Sequence, residues 1–218
     1  LTSLHFLKKH VRFAGFMKFT HIILEFWASL KYDVMEELAW PNGFSKDEIR
    51  PIIEDARKMG IEVIPMFNHL GHASGCGLLD CKHVVLDQNP SKALLFEPDG
   101  WTWCISNPET RRILKAIRQE LVELCGSGSY FHMGMDEAHT FATCDICGHT
   151  ESMDMLTEFI HSVQQEMLEQ GRRVMIWADM LLEKAAFETP NVANSTAALP
   201  THTIVEKLDK QIVLVDWQ

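Results

Sequence analysis

The hydrophobic positions of the chain follow two alternating patterns. Short runs rich in β-branched and aromatic residues alternate with longer stretches in which apolar residues recur at helical spacing. The short runs predict five strands, at residues 20–26, 61–67, 129–134, 172–178 and 211–217. Strands separated by helices form parallel sheets with right-handed crossovers, so the pattern predicts an α/β fold.

Residues that begin or end helices support the same division. Ser45 and Glu48 form a capping-box pattern, and Gly60 is a natural helix end. Asn107 precedes a proline at the first position of another helix. The predicted helices cover residues 4–18, 45–60, 107–126 and 152–170. Pro65 lies within the second strand and predicts an edge position or a bulge, because proline cannot donate a ladder hydrogen bond.

Every predicted strand is followed by polar or aromatic side chains at its carboxyl end. These are Glu25 and Trp27, then Asn68, His69 and His72, then Asp136 and Glu137, then Trp177 and Asp179, and finally Asp216 and Trp217. In a (β/α)8 barrel all strand ends converge on one mouth, whereas an open doubly wound sheet collects such residues at one switch point. No glycine-rich phosphate turn follows the first strand. We therefore predict a TIM-type (β/α)8 barrel, with residues 1–218 forming one partial catalytic domain that holds about five of the eight strands.

Composition and charge exclude some partners. The chain has 218 residues and is 46% hydrophobic, which is enough for the core of one large domain or two small ones. A net charge of -10 argues against a nucleic-acid partner, because phosphate binding needs clustered Lys and Arg. No apolar run is long enough to span a bilayer, so no membrane partner is expected. The chain opens on Leu1 without a secretory signal, so we expect an excised or processed piece. The oligomeric state stays open.

Six cysteines in a chain of this length do not suggest a disulfide framework. Cys125 lies in a helical pattern and is typical of a small buried hydrophobe. The mixture suits a reducing compartment and favours the cytoplasm, although the location stays open. Cys144 and Cys147 have the spacing of half a zinc site, and Cys76 and Cys81 lack the usual spacing for the other half. A loop thiol pair is the favoured interpretation, a zinc-stabilised module is the minor one, and no metal and no cofactor are expected.

The segment at residues 131–137, Phe-His-Met-Gly-Met-Asp-Glu, is the strongest candidate for chemistry. Asp136 and Glu137 follow a short apolar strand, where one carboxyl group can stay protonated while its neighbour is ionised. The alternative is an ordinary acidic helix start, where negative charge suits the helix dipole.

Aromatic residues and histidines accompany these carboxylates. Trp177 and Trp217 stand at strand ends, and Trp101 and Trp103 lie in the long segment after the second strand. Indole faces stack on the apolar faces of sugar rings, so a carbohydrate site is favoured over four core tryptophans. His69 and His72 have no third ligand spaced nearby, so a histidine that orients a carboxylate is favoured over a metal ligand. Glu25, inside an apolar strand, needs either a ligand hydroxyl or a basic neighbour.

Three segments resemble the β-N-acetylhexosaminidases of glycoside hydrolase family 20. His-Met-Gly-Met-Asp-Glu at 132–137 resembles that family's His-x-Gly-Gly-Asp-Glu motif. Asn-His-Leu-Gly-His-Ala-Ser at 68–74 resembles its strand that ends in Pro-Gly-His-Ser/Thr. Arg-Val-Met-Ile-Trp-Ala-Asp at 173–179 resembles its later strand that ends in Trp-x-Glu/Asp. The order and rough spacing also match, and the resemblance covers nearly the whole chain.

The resemblance implies a retaining exo-glycosidase that removes terminal β-linked N-acetylhexosamine, with the substrate's own acetamido group as nucleophile. It implies that Glu137 is the general acid/base, that Asp136 orients the acetamido group, and that His72 hydrogen-bonds to Glu137. The sugar, N-acetylglucosamine or N-acetylgalactosamine, is expected to contact residues from the strand ends and the long segment. These are Glu25, Asn68, His132, Trp103, Trp177, Asp179 and Trp217, with Trp177 and Trp217 walling the acetamido pocket.

Some positions depart from the family pattern. Met135 stands where the family usually has a second glycine, which is expected to reshape the floor of the site. The Glu-Phe-Trp at 25–27 replaces the usual run toward an Asp pair and is similar to a divergent branch of the family. Two further interpretations therefore stay open. One is a related glycosidase without acetamido preference, and the other is a non-catalytic carbohydrate-binding barrel.

Overall fold

A computed structural model describes residues 3–73, 83–149, 151–186 and 199–217. All five predicted strands are present, and together they form one parallel sheet. The strands are β1 His21–Glu25, β2 Glu62–Met66, β3 Tyr130–His132, β4 Arg173–Trp177 and β5 Val213–Val215. Their spatial order is β1-β2-β3-β4-β5, so each strand lies beside its predecessor in the chain. A barrel advances in this way, whereas a doubly wound sheet reverses its strand order.

The described part of the chain contains four α-helices, of which the first precedes β1 and the other three connect consecutive strands. They are α1 Leu4–Phe16, α2 Lys46–Lys58, α3 Pro108–Cys125 and α4 Ser152–Glu169. The predicted capping box is present at α2, where the Ser45 side chain accepts from the Glu48 amide and Glu48 accepts from the Ser45 amide. Gly60 follows α2 with φ of +76°, a conformation that suits glycine. No described helix combines the length and apolar character needed to cross a membrane.

The core lies between these helices and the sheet. The apolar faces of α3 and α4 are almost completely buried there. The buried residues include Ile113, Leu114, Ile117 and Leu121 from α3, and Phe159, Ile160, Val163 and Met167 from α4. Two long connections cross the carboxyl edge of the sheet. We call residues 67–107, between β2 and α3, loop 2, and residues 133–151, between β3 and α4, loop 3.

The prediction of an edge position or bulge at Pro65 is wrong. Strand β2 pairs with β1 on one side and β3 on the other, so Pro65 lies inside the sheet. The Glu62 amide bonds toward β1 and the Phe67 amide toward β3, so residue 65 has its nitrogen on the β3 side. The carbonyl of Tyr130, which an amide at this position would reach, accepts instead from Arg172 Nη1 at 2.8 Å. A buried guanidinium thus replaces the missing ladder bond.

The outer strands of the described sheet, β1 and β5, each pair on one side only. Side chains from all five strands line a concave volume of about 460 Å³ on one face of the sheet, among them Ile23, Tyr130 and Val213. A complete barrel would enclose this volume and fill it with layers of side chains. The structure is therefore an incomplete α/β barrel, as the sequence predicts.

Candidate active site

The carboxyl ends of the strands surround an open cleft of about 550 Å³. Nine residues line it, namely Ile23, Glu25, Met66, Asn68, His72, Asp136, Glu137, Trp177 and Trp217. Seven of these are site residues that the sequence predicts, whereas the two apolar ones, Ile23 and Met66, were not predicted. The convergence of polar strand ends on one mouth is what the barrel topology requires.

The chain turns sharply between β3 and the two carboxylates. Gly134, Met135 and Glu137 have φ of +66°, +85° and +49°. A Cβ atom at Gly134 would collide with the side chain of Asn68, so this position requires glycine for its space as well as its backbone. Met135 adopts a conformation that glycine adopts freely, and its side chain is buried in the core. Met135 is not among the residues that line the cleft.

His72 lies between the two carboxylates. Its Nε2 atom is 3.1 Å from Asp136 Oδ2 and 3.3 Å from Glu137 Oε2. Burial lowers the pKa of His72, but the hydrogen bond to Asp136 and the surrounding negative charges outweigh it, so the pKa is raised overall. The ring lies 4.4 Å from that of Trp101, and the Trp27 indole donates to the His72 carbonyl at 3.0 Å. The hydrogen bond and the negative charges thus favour the protonated form of His72, which lies close to both carboxylates.

The backbone of Glu137 is fixed on both sides. Its amide donates to Asp179 Oδ2 at 2.9 Å, and its carbonyl accepts from the Trp101 indole at 2.7 Å. The carboxyl group of Glu137 is about one third exposed toward the cleft. Asp136 differs, because its Oδ1 atom is buried and has no hydrogen-bond partner among the described residues. Both carboxylates line the cleft, and the Glu137 side chain, 32% exposed, is more accessible there than the Asp136 side chain, which is 16% exposed.

Asp179 supports the pair from below the cleft surface. Burial raises the pKa of Asp179 to about 6, against the opposing effect of the Glu137 amide. The charge of Asp136 raises it further, and a hydrogen bond from the Trp217 side chain lowers it. Asp179 is almost fully buried and does not line the cleft. The sequence predicts that Asp179 contacts the sugar. Its contacts in the structure instead position Glu137 and Trp217.

Glu25 and Asn68 form the β1 side of the cleft. The side-chain nitrogen of Asn68, Nδ2, donates to Glu25 Oε1 at 3.3 Å. Asn68 Oδ1 is buried without a partner among the described residues. Desolvation raises the pKa of Glu25, the charge of Asp136 adds to the rise, and His72 opposes it. Glu25 still reaches solvent at the mouth and presents its carboxylate to a ligand, whereas Asn68, which also lines the cleft, is almost completely buried.

His132 lies behind the cleft. Its ring is fully buried, lies 4.4 Å from the Trp177 ring, and accepts at Nδ1 from the Gly134 amide at 3.0 Å. Burial lowers the pKa of His132 to about 4, with the charge of Asp136 opposing. The imidazole is therefore neutral near pH 7. The sequence predicts that His132 contacts the sugar. In the structure His132 packs against Trp177 and does not line the cleft.

The prediction that Trp103 contacts the sugar is wrong, because its side chain is completely buried. Its indole donates to the Asn68 carbonyl at 3.1 Å, and its ring lies 4.6 Å from that of Phe96. Trp101 is the tryptophan of loop 2 that approaches the site, through His72 and Glu137. The sequence shows two tryptophans in this loop but does not indicate which of them lies near the catalytic pair.

The other residues that the sequence suggests as metal ligands are His69 and four cysteines, and none of the described ones lines the cleft. His69 is fully buried and does not line the cleft, unlike His72. Burial lowers the pKa of His69 to about 3. Cys76 and Cys81 lie outside the described residues. Cys144 and Cys147, the predicted loop thiol pair, lie beside Glu97 and Cys104, a grouping that the sequence did not predict.

A model of the glycosyl hydrolase family 20 catalytic domain matches residues 24–211, most of the chain. The chain belongs to glycosyl hydrolase family 20. This family 20 domain is 24% identical over 216 residues to a lacto-N-biosidase of Bifidobacterium bifidum, covering 92% of the chain and 17% of that protein. It is 26% identical over 156 residues to beta-hexosaminidase 1 of Coccidioides posadasii, covering 64% of the chain and 26% of that protein.

A solved family 20 structure shows the same fold. The exo β-N-acetylglucosaminidase of Vibrio harveyi, in complex with N-acetylglucosamine, superposes with a TM-score of 0.71 and 14% identity. The match covers 100% of this chain and 36% of that one. The predicted family and barrel fold are thus confirmed. This family 20 domain spans only about a quarter or less of the two curated relatives, and about a third of the solved one.

Proposed function

We propose that the protein hydrolyses terminal β-linked N-acetylhexosamine with retention of configuration, the substrate's acetamido oxygen acting as nucleophile. One observation carries this proposal. Adjacent carboxylates, Asp136 and Glu137, share His72 and both line a tryptophan-walled cleft. Membership of family 20 supports the same reading of the pair.

Asp136 is assigned to the acetamido group. It lines the cleft, and its side chain is 16% exposed there, next to the more exposed Glu137. The accessible side of this carboxylate would accept a hydrogen bond from an acetamido N–H and orient that group. As the acetamido oxygen attacks the anomeric carbon, positive charge develops on the oxazolinium ring, and the carboxylate stabilises it.

Glu137 is assigned to the glycosidic oxygen. Its carboxyl group reaches the open cleft while the amide bond to Asp179 and the carbonyl bond to Trp101 fix its backbone. A general acid has to lie within hydrogen-bond reach of the leaving oxygen, and this fixed position provides that reach. The same group then deprotonates the water that opens the oxazolinium ring.

The side walls suit a sugar ring. Trp177 and Trp217 offer indole faces, and Ile23 and Met66 add apolar surface between the polar groups. Pyranose rings combine apolar faces with hydroxyl edges, so such walls fix ring orientation while Glu25 and Asn68 accept or donate at the edges.

The test is hydrolysis of an aryl β-N-acetylglucosaminide against the matching β-glucoside by the intact protein. We expect turnover of the acetylated substrate only. Glu137→Gln should lower kcat on substrates with poor leaving groups by about 10²–10⁴-fold, because general acid catalysis is lost. Glu169→Gln, at an exposed position at the end of α4, is the matched control and should behave as wild type. Unchanged kcat in Glu137→Gln would remove the assignment.

Asp136→Asn separates the alternatives. Loss confined to acetamido substrates supports substrate assistance, whereas equal loss on both glycosides favours a glycosidase without acetamido preference. Retained sugar binding without turnover of any glycoside favours a non-catalytic carbohydrate-binding barrel. The similarity to a lacto-N-biosidase adds an aryl β-lacto-N-bioside to the substrate panel.

A further inference from the structure

Outside the cleft, four side chains of metal-ligand type meet between loop 2 and loop 3. Glu97 and Cys104 come from loop 2, and Cys144 and Cys147 come from loop 3. One ligand atom of each lies within 4.8 Å of all the others. None of the four belongs to the proposed catalytic machinery, so the cluster needs its own explanation.

The distances suit a shared ion. Cys104 Sγ is 3.6 Å from Cys144 Sγ and 3.6 Å from Cys147 Sγ, and Cys147 Sγ is 3.3 Å from Glu97 Oε1. Around a tetrahedral Zn²⁺, bonds of about 2.3 Å to sulfur and about 2.0 Å to oxygen place two sulfurs about 3.8 Å apart, and a sulfur and an oxygen about 3.5 Å apart. A disulfide would need about 2.05 Å between sulfurs. Three of the six edges of the cluster are therefore close to those of a zinc tetrahedron, and the other three are no longer than 4.8 Å.

Glu97 is held in the orientation of a ligand. Its Oε2 atom accepts from the amides of Thr143 and Cys144 at 3.0 and 2.7 Å, which leaves Oε1 facing the sulfur of Cys147. Such bonds to the outer oxygen are how proteins orient a metal-binding carboxylate. The loop 3 thiols are similarly ordered, because the Cys147 amide donates to Cys144 Sγ at 3.4 Å.

Charge balance also favours a cation. Glu97 is only 1% exposed, and Cys104 and Cys147 are no more exposed than that. Within the described part of the chain, Glu97 forms no ion pair with Lys, Arg or His. Buried carboxylates are normally paired with a cation or coordinate a metal. Three thiolates and one carboxylate form a closed set of soft and hard ligands for which Zn²⁺ is well suited.

We propose that Glu97, Cys104, Cys144 and Cys147 form a structural zinc site. Four protein ligands leave no open position for water or substrate, so the site is structural and not catalytic. It joins loop 2 to loop 3 beside the catalytic pair. In the same region the Trp101 indole bonds the Glu137 carbonyl, and Thr140 bonds both Thr102 and Asp99. The ion would hold Trp101 against Glu137 by tying together the loops that carry them.

The first experiment measures zinc in the intact protein, purified under reducing conditions without chelator, by inductively coupled plasma mass spectrometry. We expect about one zinc per chain, retained on dialysis and restored by adding Zn²⁺ after chelator treatment. No zinc in the purified protein and none after reconstitution with Zn²⁺ would overturn the proposal. Because this measurement does not depend on turnover, the zinc site and the glycosidase proposal can fail separately.

Variants identify the ligands. Cys104→Ser and Cys147→Ser should lose the zinc, whereas Cys125→Ser, which alters a buried thiol on α3, should keep it. Glu97→Gln keeps acceptors for the loop 3 amides but removes the charge, and should lower zinc affinity by at least about 10-fold. Zinc that persists in Cys104→Ser but is lost in Cys76→Ser/Cys81→Ser would overturn the assignment.

Cobalt substitution keeps the test decisive if the cysteine variants fail to fold. Co²⁺ added to the zinc-free wild-type protein should give thiolate-to-cobalt charge-transfer absorption with the visible bands of a tetrahedral site. An octahedral spectrum without charge-transfer absorption would contradict the ligand set. Thiol titration of the unfolded, metal-free protein provides the last check, since a disulfide within the cluster would also overturn the proposal.

Discussion

At the residue scale, the cleft concentrates acidic groups around few positive charges. His72 is the one basic side chain within ion-pair distance of Asp136 or Glu137 among the described residues. Burial and neighbouring charge raise the pKa of Glu25, and raise that of Asp179 to about 6. These carboxyl groups therefore titrate closer to neutrality than exposed ones, and the protonation of the site changes in mildly acidic solution.

Asp179 gives this argument a measurable consequence for stability. Its folded-state pKa of about 6 exceeds the ordinary value of 3.8, so the folded state binds this proton more tightly than the unfolded state. The resulting stabilisation is complete below about pH 4 and is lost as pH rises through about 6. Asp179→Asn should remove this loss, which a shift of about two pKa units sets at about 3 kcal/mol or less. Urea unfolding of wild type and variant between pH 4 and 7 measures it.

The control is Asp55→Asn, a substitution on α2 away from the cleft, which should keep the wild-type pH dependence. His72 remains in both variants. Its pKa is raised above the ordinary value of 6.5, so the stability that it contributes is complete below about pH 6.5 and is lost only above that pH. If Asp179→Asn and wild type lose stability equally between pH 4 and 7, Asp179 does not carry the shifted proton.

At the element scale, β2 illustrates how a strand accommodates a residue that breaks its ladder. Pro65 has no amide to offer β3, and Arg172 supplies the donor to the Tyr130 carbonyl instead. A second guanidinium nitrogen of Arg172 bonds the Gly126 carbonyl just after α3. One buried side chain, directly before β4, thus joins β3 to the end of α3.

Arg172→Met should therefore destabilise the protein strongly. It leaves two partly buried carbonyls without their side-chain donors, and since an unsatisfied carbonyl costs about 1–3 kcal/mol when buried, we expect a loss of up to about 6 kcal/mol in the free energy of unfolding. Arg173→Met is the matched control, since Arg173 bonds the Gln211 carbonyl at an exposed position and should cost less than about 1 kcal/mol.

Pro65→Ala tests the mechanism directly. It restores an amide on the β3 side of β2, so it should recover part of the stability that Arg172→Met loses, and recover less in the wild-type background. The double-mutant cycle by urea unfolding gives the coupling. Additive effects would mean that Arg172 stabilises the protein in some other way than by replacing the ladder bond.

At the scale of the whole molecule, sequence patterns predict the parts that local chemistry determines. The five strands follow from apolar runs, and their order follows from polar residues that converge on a barrel mouth. Contacts across loops are not visible in this way. Trp103 is buried because it pairs with Phe96 within loop 2, and Glu97 meets Cys144 only after both loops fold. The sequence alone therefore predicts neither the four-residue cluster of the proposed zinc site nor that Trp101, and not Trp103, approaches the catalytic pair.

The open edges of the sheet give the last prediction. Among the residues that the structure describes, β1 and β5 each pair on one side only, and Leu214 on β5 is 46% exposed. Exposed edges pair with other chains, so residues 1–218 expressed alone should self-associate as concentration rises. Leu214→Lys should weaken this association, because a charge on an edge strand opposes pairing. Leu94→Lys, at an exposed apolar position in loop 2 away from either edge, should not.

Light scattering coupled to size-exclusion chromatography distinguishes the outcomes. A monomer at every concentration would mean that the five-stranded arc protects its edges without further strands. A larger effect of Phe16→Lys than of Leu214→Lys would instead place the association on α1, where Phe16 is 81% exposed. Only the expected order, with Leu214→Lys strongest, attributes self-association to the unclosed barrel, because only that substitution lies on an edge strand.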